Sequence, residues 1–147
     1  MTDSSRDEPT ASYADEAVIR RLLQDTKVWA VVGLADNPAR PAWGVARRLQ
    51  QHGKQIVPVH PRAETVHGEA GFPTLSDIPF AVDVVDLFVN STRVGAIIDE
   101  AIAIGAPAIW TQLAVVDDAG AARAAEAGLD VVMDRCPAIE GPRLGIW

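Results

Sequence analysis

The stretch from Val31 to Gly44, VVGLADNPARPAWG, holds the first residues whose types and spacing could do chemistry. It starts as an apolar run and reaches a glycine, Gly33, as the phosphate-binding turn of a nucleotide site does. A dinucleotide site would continue as G-x-G-x-x-G, but the next glycine here is Gly44. Two prolines and Arg40 fill the interval, and the sequence contains no Walker A phosphate loop. The pattern therefore indicates a nucleotide loop of another kind.

A second set of candidate ligand residues, His60, Pro61 and Arg62, follows an apolar segment that ends at Val59. An acidic residue about 20 residues after the glycine turn would hold the ribose hydroxyls of NAD. Arg62 favours a phosphate on the ribose instead, because a guanidinium grips phosphate oxygens in a bidentate manner. NADP and coenzyme A (CoA) both carry such a phosphate, and the long loop with its missing glycines weighs against NADP.

Cys136, the single cysteine, suggests a different chemistry. Its neighbour Arg135 would stabilise a thiolate, and a thiol beside a CoA site would form a mixed disulfide or accept an acyl group. A partly buried structural cysteine is the simpler interpretation. The histidines at 52, 60 and 67 lack the spacing of a metal site, and no serine lies in a nucleophile elbow. The sequence thus predicts no metal site and no catalytic residue.

Apolar segments alternate with amphipathic ones along the chain, and these elements must position the candidate residues. Strands that are apolar throughout indicate a sheet covered on both faces, and their alternation with helices indicates parallel βαβ units. The predicted fold is α/β, a Rossmann-like three-layer fold with a mostly parallel five-stranded sheet. Asp83 and Asp86 fall in or beside the third strand, where a capping or ion-pairing role is expected. Strands are predicted at 28–33, 54–61, 82–89, 107–113 and 129–133, and helices near Asp15, Trp43, Ser91 and Asp117.

Length and composition fit one domain. The chain has 147 residues, of which 48% are hydrophobic and 22% charged, as in ordinary globular proteins. Residues 1–14 are acidic and polar and are predicted to be a flexible leader before a single domain at residues 15–147. The net charge of −7, with no basic stripe to offset it, argues against a general nucleic-acid binder. One cysteine, no signal-like segment and no bilayer-length apolar run predict a cytoplasmic protein without membrane partners.

Taken together, several blocks are similar to the small bacterial CoA-binding protein family. That family resembles the N-terminal CoA-binding domain of the succinyl-CoA synthetase α-subunit. The blocks keep the order and spacing of the family from about residue 15 to residue 144. The resemblance implies a Rossmann-like fold that holds CoA without an attached catalytic domain. The blocks are VVGLADNPARPAWGVARRLQQHG, IVPVHPR, DLFVNSTRVGAIIDEAIAIGA, IWTQLAVVDDAGAARAAEAGLDVVMDRCP and IEGPRL.

The resemblance also implies a set of CoA-binding residues. The loop Ala35–Arg40 would lie against the phosphates of the ADP moiety, and the helix that begins near Trp43 or Gly44 would add its dipole and free N–H groups. Arg62 would meet the ribose phosphate or flank the adenine. The residues after strands three and four would line the nucleotide or pantetheine path. The full candidate set is Gly33, Leu34, Ala35, Asp36, Arg40, Trp43, Gly44, His60, Pro61, Arg62, Val89, Asn90, Ser91, Gln112 and Cys136.

Several positions depart from the family pattern. Each lost hydrogen bond to a charged group removes about 1.5–3 kcal/mol of binding free energy, so a decayed, ligand-free scaffold is one interpretation. The expected function is a small stand-alone CoA- or acyl-CoA-binding protein without catalysis of its own. The alternatives are a redox or acyl-transfer enzyme that uses Cys136, and a nicotinamide-nucleotide-binding regulator. The departures are Ala35 for Ser, His60 for Asn, Val89 and Asn90 for basic residues, Ala138 for Lys and Gly141 for Tyr.

The C-terminal segment GPRLGIW ends in an aromatic residue, Trp147. An apolar side chain at this position packs either on another chain or on the domain itself. The sequence leaves both possibilities open, and it identifies no protein partner.

Overall fold

The computed structural model describes residues 13–147, which form a parallel sheet of five strands with helices on both faces. The strands lie in the order β2-β1-β3-β4-β5, so the predicted Rossmann-like α/β fold is confirmed. The strands are β1 (Val28–Val32), β2 (Gln55–Val59), β3 (Val84–Leu87), β4 (Ala108–Thr111) and β5 (Asp130–Val132). The helices are α1 (Glu16–Asp25), α2 (Pro41–Gln51), α3 (Ser91–Ala103), α4 (Asp118–Glu126) and α5 (Pro137–Arg143).

Two hydrophobic clusters, one on each face of the sheet, explain why the strands are apolar throughout. Helices α3 and α4 cover the first cluster, to which the strands contribute residues such as Val85 and Ile109. Helices α1 and α2 cover the second, which contains Trp29 and Trp110 with ring centroids 5.6 Å apart. Each strand therefore buries both of its faces, as parallel strands do.

Side-chain caps place the beginnings of three helices close to their predicted positions. Asp15, Asn90 and Asp117 accept hydrogen bonds from backbone N–H groups in the first turns of α1, α3 and α4. Helix α2 begins at Pro41, two residues before the predicted start, because a proline at the first helical position gives up no intrahelical hydrogen bond. The sequence did not predict α5, whose seven residues include Pro137 at the start and Pro142 inside.

The edge position of β2 accounts for Pro58, which is unexpected in a central strand. Within the sheet β2 pairs with β1 alone, so a missing N–H on its outer side breaks no ladder bond. The carbonyl of Pro58 accepts a hydrogen bond from the N–H of Phe72 at 2.9 Å. The long connection between β2 and β3 therefore returns along this edge.

Both described ends of the chain pack on the domain. The carbonyl of Tyr13 accepts from the N–H of Met133 at 2.8 Å, and residues 1–12 of the predicted leader lie outside the described residues. Trp147 stacks on His52 with ring centroids 4.4 Å apart and lies against Gly141, where a Cβ would overlap the indole. The C-terminal segment thus docks on its own domain, and glycine at 141 makes room for Trp147. No helix within residues 13–147 is both long and apolar enough to cross a bilayer.

Candidate functional site

A cleft of about 510 Å³ lies at the carboxyl ends of β1, β2 and β3. Strand order reverses between β1 and β3, and ligands of open α/β sheets bind at such a switch point. The loop after β4, which was also a candidate, is one strand further along the sheet. We call this cavity the switch-point cleft; it is lined by Val32, Gly33, Arg40, Val59, His60, Pro61, Pro73, Thr74, Phe88, Val89, Asn90, Arg93, Ile97 and Glu100.

Gly33 is the residue at which β1 leaves the sheet. Its φ is +94°, and a Cβ there would overlap the carbonyl oxygen of Phe88. Its N–H donates to the carbonyl of Val59 at 2.7 Å, which holds the turn against β2. Glycine is required because this turn is pressed between the ends of two neighbouring strands.

Arg40 stands between the loop after β1 and helix α2. It is the N-cap residue of α2, but no side chain caps the helix, and Pro41 has no N–H to donate. Among residues 13–147, no carboxylate pairs with the Arg40 guanidinium. The beginning of α2 therefore brings a guanidinium and the positive end of a helix dipole to the cleft.

Asp36 and Trp43 hold the loop after β1 in shape. The Trp43 indole donates to Asp36 Oδ1 at 3.1 Å, and the Asp36 N–H donates to Glu64 Oε1 at 2.9 Å. The indole also packs on His67 with ring centroids 4.4 Å apart, and His67 Nε2 donates to the Trp43 carbonyl at 2.7 Å. These polar groups are already bonded within the protein, so both residues shape the loop.

Arg62, the predicted reader of a ribose phosphate, lies beside the switch-point cleft rather than in its lining. Its side chain is 66% exposed, and its Nε lies 3.6 Å from Glu64 Oε2. An exposed ion pair of this kind contributes little to stability. Arg62 therefore lies near the end of β2, and its side chain makes few contacts with the protein.

Six residues of the predicted set meet in the switch-point cleft: Gly33, Arg40, His60, Pro61, Val89 and Asn90. Others are placed elsewhere. Leu34 is fully buried in the second hydrophobic cluster, and Gly44 lies exposed on α2. The Ser91 hydroxyl accepts from the N–H of Val116 at 3.0 Å and donates to the carbonyl of Ala114. Ala35 is also largely buried, and its carbonyl accepts from Asn37.

Cys136 is 6% exposed and belongs to the second hydrophobic cluster. It directly precedes α5 and does not line the switch-point cleft. The neighbouring Arg135 directs its side chain to the carbonyl of Asp134, at 2.7 Å. The location favours the structural interpretation of this cysteine, because a thiol nucleophile requires access to its substrate.

The sequence did not single out the contribution of α3. Arg93, Ile97 and Glu100 line the switch-point cleft, each one position before a core residue of that helix. The sequence signal that could have identified them is their spacing, because residues next to the apolar stripe of a helix lie at the edge of the surface that the helix packs on. Arg93 is also a basic residue one turn beyond Val89 and Asn90.

Asp86 is a buried carboxyl at the centre of β3. It pairs in register with Val31 and Trp110, and neither of its oxygens has a well-formed hydrogen bond among the described residues. Burial raises the pKa of Asp86 well above its ordinary value.

Asp83, by contrast, has hydrogen-bond partners. Its carboxylate accepts from the N–H groups of Lys27 and Val28 and so holds the start of β1, as a capping role requires. Gln112 Oε1 is also buried and unpartnered within the described chain.

Comparison with known proteins identifies one family and several relatives of similar sequence and fold. Residues 27–142 match the model of the family described as the CoA binding domain. The uncharacterized protein YneT of Bacillus subtilis (strain 168) is 32% identical over 121 residues, which cover 82% of this chain and 90% of YneT. A hypothetical protein from Pyrococcus horikoshii OT3 is 36% identical with a TM-score of 0.83, and the match covers 88% of this chain and 91% of that one. A Thermus thermophilus structure is 32% identical with a TM-score of 0.83, covering 88% of this chain and 98% of that one. The chain therefore belongs to the CoA binding domain family.

Proposed function

We propose that this protein binds CoA or an acyl-CoA in the switch-point cleft, as a stand-alone domain at residues 15–147 without catalysis of its own. The observation that carries the proposal is a pair of guanidiniums, Arg40 and Arg93, which line one cleft without a carboxylate partner among the described residues. The chain as a whole is acidic, with a net charge of −7, so two unpaired cations in one cleft indicate a local site for an anionic ligand. The diphosphate of CoA supplies that charge.

The residues of the cleft fit the parts of CoA. Its volume of about 510 Å³ lies within the range of small-molecule sites. Val59, Val89 and Ile97 offer apolar surface for a base or for the pantetheine chain, and Asn90 offers an amide. Ala35 supplies no hydroxyl where the family has serine, but Arg93 brings a positive charge to the same cleft. Arg93 thus supplies one positive charge to the cleft, although Val89, Asn90 and Ala138 stand where the family pattern has basic residues.

The location of Cys136 is the reason why the proposal includes no covalent chemistry. Its thiol is buried in the hydrophobic cluster on one face of the sheet. A nicotinamide nucleotide fits less well, since the turn at Gly33 lacks the further glycines of a dinucleotide site.

Two arginine substitutions are expected to distinguish the binding of the CoA diphosphate from the binding of its ribose phosphate. We expect Arg40→Ala to weaken both CoA and dephospho-CoA by about 10- to 100-fold, because both ligands carry the diphosphate and a hydrogen bond to a charged group contributes about 1.5–3 kcal/mol. We expect Arg62→Ala to weaken CoA alone, because we assign the exposed guanidinium beside the cleft to the ribose phosphate that dephospho-CoA lacks. Calorimetric titration of each variant with both ligands measures these effects.

Arg47→Ala is the matched control, since Arg47 is exposed on α2 and lies outside the cleft. It should leave both affinities unchanged. If Arg40→Ala behaves like this control, the diphosphate does not lie at the beginning of α2 and the proposed site is wrong.

A further inference from the structure

Three residues of α3 form a line along the switch-point cleft: Arg93, Ile97 and Glu100, which we call the α3 stripe. Their spacing of four and three residues places them on one side of the helix. With a rise of 1.5 Å per residue, the Cα atoms of Arg93 and Glu100 lie roughly 10 Å apart along the helix axis. The two charged groups therefore mark opposite ends of one stretch of the cleft wall.

The chemistry changes along this line from a cation to an apolar group to an acceptor. Arg93 lies in the first turn of α3 and has no ion-pair partner among the described residues. Ile97 is half-buried and packs against the first hydrophobic cluster. Glu100 accepts the N–H of Leu75 through Oε1 at 3.1 Å, which leaves its second oxygen without a protein donor in the described chain.

The neighbouring polar side chain does not satisfy that oxygen. Thr74 also lines the cleft, but its hydroxyl donates to Asp77 Oδ2 at 2.8 Å. A ligand at this end of the cleft therefore meets a half-buried carboxylate with one oxygen free to accept a hydrogen bond. A ligand group that presents only an acceptor would leave two acceptors facing each other, which is unfavourable.

We propose that the α3 stripe selects the adenine base of the ligand; this inference rests on the proposed CoA function. Glu100 accepts a hydrogen bond from the exocyclic amine of adenine, Ile97 packs on the base, and Arg93 contacts a phosphate. Hypoxanthine carries a carbonyl in place of that amine, so an acceptor faces the Glu100 carboxylate and the nearest donor, the N1–H, is displaced by one ring position. Glu100 is thus a specificity-determining residue, which acts by rejecting the wrong base as well as by binding the right one.

The test compares CoA with its analogue in which inosine replaces adenosine, by calorimetric titration of the wild type and of Glu100→Gln. We expect the wild type to prefer CoA by about 10- to 100-fold, since the mismatch loses a hydrogen bond to a charged group. Glu100→Gln keeps an oxygen for the Leu75 N–H and can donate its amide to the hypoxanthine carbonyl. The preference should therefore fall to within about threefold, mainly because the analogue binds more tightly.

Glu126→Gln is the matched control, because Glu126 is an exposed carboxylate at the end of α4 and lies outside the cleft. It should retain the wild-type preference. If the wild type binds CoA and the analogue equally, the inference is overturned and the proposed function stands, whether or not the variant folds. An unchanged preference in a folded Glu100→Gln protein also overturns it. If the wild type binds neither ligand, the proposed function itself fails and the inference fails with it.

Discussion

Gly33→Ala is expected to lower the free energy of unfolding by about 2–5 kcal/mol and to abolish CoA binding. The positive φ of +94° costs an alanine about 1–2 kcal/mol. The new Cβ would also overlap the carbonyl oxygen of Phe88, and overpacking of this kind costs about 1–3 kcal/mol. The ends of β1 and β3 must separate to accommodate it, and they form the floor of the switch-point cleft.

Gly44→Ala is the matched control for this effect. Gly44 lies in α2, and a Cβ there would have no atom within 4 Å. Alanine is the better helix former, so this change should stabilise the protein by about 0.5–1 kcal/mol. Urea unfolding followed by tryptophan fluorescence measures both variants. A Gly33→Ala protein as stable as the wild type would contradict the assignment of Gly33 as a required glycine.

The second large effect is a dependence of the protein's stability on pH, which we expect Asp86 to cause. In the unfolded chain this carboxyl ionises near pH 4, whereas burial raises its pKa in the folded protein. Above pH 4 the unfolded state therefore binds fewer protons than the folded state. The contribution of Asp86 to stability is fully present below about pH 4 and falls by about 1.4 kcal/mol per pH unit until the pKa of the folded protein is reached.

Asp86→Asn removes this ionisation. We expect the stability of the variant relative to wild type to rise with pH above about 4, because the wild type loses stability over this range and the variant has no carboxyl to ionise. Chemical unfolding at pH 4, 5, 6 and 7 measures the difference.

Asp118→Asn serves as the control, because Asp118 is exposed in the first turn of α4. Its stability relative to wild type should change by less than about 1 kcal/mol over the same range. A flat difference between wild type and Asp86→Asn would show that Asp86 is solvated or bonded in solution.

The fold was predictable because its signals are local in the sequence. Short apolar runs mark the strands, and Asp15, Asn90 and Asp117 mark helix starts within a few residues of where they occur. Helix α5 escaped prediction because it is short, contains two prolines and packs against α2, a contact that no local pattern encodes. The start of α2 was misplaced by two residues because Pro41 is compatible with both a loop and a first helical turn.

The site was predictable only where it depends on strand ends. Gly33, Arg40 and His60 follow β1 and β2 closely, so their convergence could be expected from the parallel sheet alone. Arg93 and Glu100 could not be found in this way, because their position depends on which side of α3 faces the cleft. The burial of Leu34 and Cys136 likewise depends on tertiary packing rather than on their neighbours in the chain.

The most direct test of CoA binding is calorimetric titration of the purified, ligand-stripped protein with CoA, with NAD and NADP in parallel. We predict micromolar binding of CoA that is weakened in Arg40→Ala, and no comparable binding of NAD or NADP. Absence of CoA binding by the wild type, with the fold intact by circular dichroism, would contradict the proposed function and identify the protein as a scaffold that has lost its ligand.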